Sequence, residues 1–160
     1  RELVFALWES PYREAIYTAI DYLNRHIKEI LPEDIEKLEK LILQKSRWDS
    51  VDALDAFVGE LVKKDPDLKN LMLGWSVSEN IRLRRVDIKY QHKFKGQTDL
   101  KMLEKIIQNN LGSQEFFINK AIGRSLREYA KIDPSRVLKF IDKYGDKMAA
   151  LSIKEATKNL

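Results

Sequence analysis

Cysteine is absent from this sequence, which excludes a disulfide framework, a thiolate nucleophile, thiolate-held zinc and iron–sulfur clusters. It also fits a reducing compartment. The two histidines have neither metal-ligand spacing nor cysteine partners, so no metal and no other cofactor is expected. Only six glycines are present, and none forms a loop that could cradle a phosphate. No nucleophile–base pair is evident. No apolar run approaches a membrane span, and no charged leader precedes a short apolar segment and cleavage site. The expectation is a cytoplasmic protein without a membrane partner. Strand-type alternation, an edge strand and a coiled-coil seam are missing too, so the chain is expected to be monomeric.

What is present is helical periodicity. Apolar residues recur as Ile35, Leu38, Leu41 and Ile42, and as Leu100, Leu103, Ile106 and Ile107. All four prolines fit a first helical turn, three after a good N-cap: Ser10-Pro11, Asp65-Pro66 and Asp133-Pro134. Ser46 with Asp49, Asn80, Thr98, Ser113, and Ser152 with Glu155 mark further starts. Alternate starts lie roughly 31 to 38 residues apart, the period of helix-pair repeats. With 160 residues and 44% hydrophobic content, one domain over 1–160 is expected. Its fold class is all-α, a curved solenoid of antiparallel helix pairs; a compact bundle is the alternative.

Charge divides the chain. Residues 1–80 carry 11 Lys+Arg against 16 Asp+Glu, and residues 81–160 carry 18 against 9. A polyanionic partner held mainly by the C-terminal half follows, with a solvated basic surface as the bland alternative. A helix beginning near Trp48 turns Val51, Leu54, Phe57, Val58 and Leu61 to one side, and Trp48, Asp52, Asp55 and Gly59 to the other. A tryptophan sharing a polar side with carboxylates needs an explanation. Asp49 is read as a helix-start residue, and Asp55 is left unassigned. Basic ladders follow on two further helices: Arg82, Arg85, Lys89, His92 and Lys93, then Lys120, Arg124, Arg127 and Lys131. On equivalent helices of a solenoid they would line one groove that follows a phosphate backbone. Trp8 and Trp75 are expected in the core.

Two segments, Lys45-Ser46-Arg47-Trp48-Asp49-Ser50-Val51-Asp52 and Phe116-Phe117-Ile118-Asn119-Lys120-Ala121-Ile122-Gly123-Arg124-Ser125-Leu126-Arg127-Glu128-Tyr129-Ala130-Lys131, resemble signature segments of bacterial DNA alkylation-repair glycosylases. These are the HEAT-like-repeat proteins of the AlkD family. Asn80-Ile81-Arg82-Leu83-Arg84-Arg85 and Leu151-Ser152-Ile153-Lys154-Glu155-Ala156 fit the same pattern. The resemblance spans nearly the whole chain. It implies further helices before Arg1, so that 1–160 is the C-terminal two-thirds or more of a longer family domain.

The resemblance also implies a function: excision of positively charged alkylated purines, such as 3-methyladenine and 7-methylguanine, from duplex DNA without a metal or cofactor. Asp52 matches the family's catalytic carboxylate and Trp48 its aromatic partner. Arg85 matches the arginine that holds the backbone near the lesion, and Lys93 and Arg127 match basic backbone contacts. Lys120 and Arg124 join them as DNA-binding candidates. The lesion is implied to stay in the duplex rather than rotate into a closed pocket. Two positions depart from the pattern: Arg124 stands where a second tryptophan is common, and Arg47 replaces an aromatic. The other readings are a non-catalytic nucleic-acid-binding module and a solenoid that binds an acidic or amphipathic peptide.

Overall fold

In the computed structural model the described residues are 2–44 and 48–160, with the side chains of residues 48–51 excepted. Described residues form helices and turns, with no strand among them. The helices are α1 (Glu2–Glu9), α2 (Arg13–Arg25), α3 (Ile35–Leu43), α4 (Trp48–Lys64), α5 (Lys69–Trp75), α6 (Ile81–Lys89), α7 (Leu100–Gln108), α8 (Phe116–Ala130), α9 (Pro134–Tyr144) and α10 (Ala150–Ala156). No described helix is long and apolar enough to cross a membrane.

Local chemistry accounts for most of the boundaries. The Asn80 side chain accepts hydrogen bonds from the amides of Arg82 and Leu83, and Asp133 accepts from Arg136 ahead of Pro134 at the first turn of α9. Pro32 and Pro66 open short 3₁₀ turns that lead into α3 and α5. Pro11 is an exception. Ser10 Oγ accepts from the Tyr12 amide, the backbone is still extended at Tyr12, and α2 begins only at Arg13. Thr98 is not the cap of α7, because the Asp99 carboxylate accepts from the Met102 amide. Ser113 likewise closes a turn on the Glu115 amide, one turn ahead of α8. The Ser152–Glu155 capping box does not form: α10 starts at Ala150, and both side chains reach other helices. The Ser46–Asp49 start falls outside the described residues.

Helices α4, α6, α8 and α10 pack successively, while α3, α5, α7 and α9 each lie against a member of that row. This is the alternation of an α-α solenoid, in which each pair buries its apolar side against the next. Leu54, Phe57, Val58 and Leu61 of α4 are buried as the helical phase requires. Trp8 and Trp75 are core residues, and Trp8 Nε1 donates to the Leu41 carbonyl at 3.0 Å, tying α1 to α3. The seams of the row are close. A Cβ on Gly59 would collide with the Tyr90 carbonyl oxygen, and one on Gly123 would lie 2.6 Å from Glu155 Cβ. Two buried hydroxyls cross these seams: Ser125 Oγ donates to the Ile88 carbonyl at 2.9 Å, and Ser152 Oγ to the Asn119 carbonyl at 2.8 Å.

Candidate nucleic-acid interface

The polar side of α4 faces α6. Asp52 accepts from Arg85 Nε at 2.6 Å through one oxygen and from Arg85 Nη2 at 2.9 Å through the other. Such a bidentate pair fixes the plane of the carboxylate as well as its charge. Arg85 also donates to the Phe117 carbonyl of α8, and its guanidinium lies 5.4 Å from the Phe117 ring centroid. Lys89, one turn further along α6, stands 3.4 Å from both Asp52 and Asp55. The cations are almost fully buried, whereas the Asp52 side chain retains 27% exposure. The open side of the cluster is therefore a carboxylate held from behind.

Its electrostatics follow from that arrangement. Burial alone would raise the Asp52 carboxyl, but the Arg85 hydrogen bond and the charges of Lys89 and Arg85 outweigh it and hold the group below its ordinary range. Asp55 is deeper. Burial pushes it up to about 6 against the attraction of Lys89, and the neighbouring Asp52 charge adds to the rise. Two carboxyls on one helix are thus driven apart, one firmly ionised and one protonated in mild acid.

The remaining candidates divide by charge pairing. Arg127 is matched by Glu155 of α10 at 3.1 Å, and Lys131 by Glu128 at 3.0 Å. Lys93 is exposed, beside Asp55 and Lys89 on a cleft of about 120 Å³. Lys120 Nζ lies 5.5 Å from the Phe116 ring centroid. Arg124 is half-buried, and its Nε has no hydrogen-bond partner among the described residues. Trp48 begins α4 one turn before Asp52, but its side chain, like Lys45 to Arg47, is outside the described set. A separate, largely apolar cleft lies between α1, α2 and α3, lined by Phe5, Tyr22 and Leu38, away from this cluster.

Asp52 and Arg85 are therefore brought together, with α8 supplying Phe117 behind them. Arg85 and Lys89 do not project from an open basic ladder, because carboxylates on α4 match their spacing. Sequence reasoning missed Lys89 and Asp55 as members of the cluster. The legible signal was complementarity: Asp52 and Asp55 three apart on one helix, Arg85 and Lys89 four apart on its repeat equivalent.

Comparisons with known proteins bear on the chain as a whole. The family model for DNA alkylation repair enzyme matches residues 1–160. A solved structure described as a predicted DNA alkylation repair enzyme from Enterococcus faecalis superposes with a TM-score of 0.90 at 31% identity, covering 99% of this chain and 74% of that one. No curated protein matches significantly.

Proposed function

This chain belongs to the DNA alkylation repair enzyme family, and we propose that within it the protein is a DNA N-glycosylase that removes positively charged alkylated purines from duplex DNA. The observation that carries this reading is the partly exposed Asp52 carboxylate, kept ionised by two buried cations on the neighbouring helix. Alkylation at a ring nitrogen has already made the base a good leaving group. As the C1′–N bond breaks, its electron pair leaves with the purine and neutralises the lesion's charge. Positive charge develops on the sugar at the same time. A fixed carboxylate opposes that charge most strongly in the transition state, which is where stabilisation accelerates reaction. Water then adds at C1′ and releases a proton, leaving an abasic sugar.

Arg85 acts here as a positioning residue for Asp52. Trp48, one helical turn from Asp52, offers an aromatic face to the cationic lesion, worth about 0.5 to 2 kcal/mol depending on desolvation. Lys93, Lys120 and Arg124 supply phosphate contacts, with Arg127 beside them.

The test is release of 3-methyladenine and 7-methylguanine from methylated duplex DNA, followed by chromatography of the freed bases. Asp52→Asn is expected to lower the rate by about 10²–10³-fold, the scale of removing one transition-state charge contact. Failure of the full-length protein to release either base overturns the glycosylase reading. Arg124, in the place of a wall tryptophan, favours a second reading: a DNA-binding module without the chemistry. In that case salt-dependent duplex binding persists, and Asp52→Asn leaves it unchanged or slightly tighter.

A further inference from the structure

One ammonium serves two carboxylates where α4 meets α6. Lys89 Nζ stands 3.4 Å from Asp52 Oδ1 and 3.4 Å from Asp55 Oδ2. A charge-assisted hydrogen bond to a carboxylate closes to about 2.7–2.9 Å, and the two bonds from Arg85 to Asp52 are that short, at 2.6 and 2.9 Å. Lys89 is closed on neither carboxylate. Its charge sits on a flexible stem, so its position follows the balance of pull between the two anions. The Lys89 side chain is only 6% exposed, so solvent screens that pull weakly.

The balance matters because the two carboxylates differ in access. Asp52 is 27% exposed and Asp55 14%, so a ligand meets Asp52 while Asp55 stays behind it. With Asp55 ionised, Arg85 and Lys89 face two negative charges. With Asp55 neutral, both cations act on Asp52 alone, Lys89 closes on it, and the negative field on its open side weakens. The other groups around Asp55 are Glu60 and Lys63 of α4, His92 and Lys93 after α6, and the uncharged Asn24 and Ile27 from α2 and the turn behind it. Among the described residues α3 contributes none to this cleft.

We propose that Asp55 is a positioning residue for excision: by competing with Asp52 for Lys89, it sets how much of the Asp52 charge reaches the sugar. The link to excision rests on the function proposed above.

The experiment has two readouts between about pH 5 and pH 8, the range that spans the Asp55 titration at about 6. One is single-turnover release of 7-methylguanine from a methylated duplex, with spontaneous loss subtracted. The other is the carboxyl carbon shifts of Asp52 and Asp55 in the free protein, followed by NMR. The wild-type rate is expected to fall by about tenfold on acidification, less than the roughly 10²–10³-fold cost of removing the Asp52 charge itself. Asp55→Asn holds the rate at the low-pH level throughout. In the free protein the Asp52 signal shows a second step that tracks Asp55, and both Asp55→Asn and Lys89→Met remove it. Excision whose pH profile is the same in Asp55→Asn overturns the positioning role and leaves the glycosylase reading intact. No excision, with an Asp52 step that both variants remove, supports the competition for Lys89 and overturns its link to excision together with that reading. An Asp52 signal without the step, or a step that survives Lys89→Met, overturns the competition whatever the rate does.

Discussion

Three aspartates on α4 and α6 differ because their surroundings differ. Asp52 has Arg85 and Lys89, Asp55 has a share of Lys89, and Asp87 of α6 is buried with neither oxygen bonded among the described residues. Burial drives Asp87 well above its ordinary value. For Asp55, whose folded value of about 6 lies above the unfolded one, folding favours the protonated form. That stability is complete below the unfolded value of about 4 and is lost as pH rises through about 6, a loss of about 3 kcal/mol. Asp55→Asn is therefore expected to flatten the decline in stability between about pH 4 and pH 7.5, read from urea midpoints. Asp52 has the opposite sign: its contribution is present above its unfolded value and fades only in stronger acid. For Asp87→Asn the expectation is a larger gain in thermal midpoint at about pH 8 than at about pH 5, because only the ionised carboxylate is penalised. Equal gains at both pH values would show that Asp87 is not the titrating group.

At the scale of elements, the seams of the α4–α6–α8–α10 row explain residues that periodicity alone misplaces. Gly59 falls in the polar stripe with Asp52 and Asp55, yet it is buried, because the stripe is a helix–helix contact and not a solvent face. Gly123 admits α10 against α8 in the same way, where a Cβ would stand 2.9 Å from the Ser152 carbonyl oxygen. Gly123→Ala is expected to destabilise by about 1–3 kcal/mol despite the better helix propensity of alanine, measured by urea unfolding. A stabilised variant would mean that the seam can open without penalty. Ser152 looks like a helix cap in sequence because Glu155 follows at the right spacing. Its hydroxyl instead satisfies a carbonyl of α8, and Glu155 neutralises Arg127.

For the whole molecule the useful quantity is which cations remain to meet phosphate. Arg85, Lys89 and Arg127 are matched by carboxylates of adjacent helices, whereas Lys93 and Lys120 have no carboxylate partner among the described residues and Arg124 is unbalanced. On the proposed reading, substituting Lys93, Lys120 or Arg124 by an uncharged residue lowers the salt slope of duplex binding by about one per site. Glu155→Gln, which releases Arg127, is expected to raise affinity and steepen the slope, checked by fluorescence anisotropy over a salt series. If Arg127→Ala lowered the slope as much as Lys93→Ala, the pairing with Glu155 would not persist in the complex.

Most helix positions, the repeat period and the buried sides of α3, α4 and α7 were legible in the sequence, because apolar spacing and caps such as Asn80 and Asp133 act over a few residues. The segments around Trp48-Asp52 and Phe116-Lys131 also pointed to the family. Pairing was not legible. A run such as Arg82, Arg85, Lys89 and His92 reads alike whether it faces water or a row of carboxylates, since the deciding partners lie more than thirty residues away, as Asp52 does from Arg85. Only the stacking of one helix pair on the next brings such groups within hydrogen-bond distance. Burial there strengthens their attraction and penalises any charge left unmatched, and so it decides which cations are held inside the fold and which remain for a ligand.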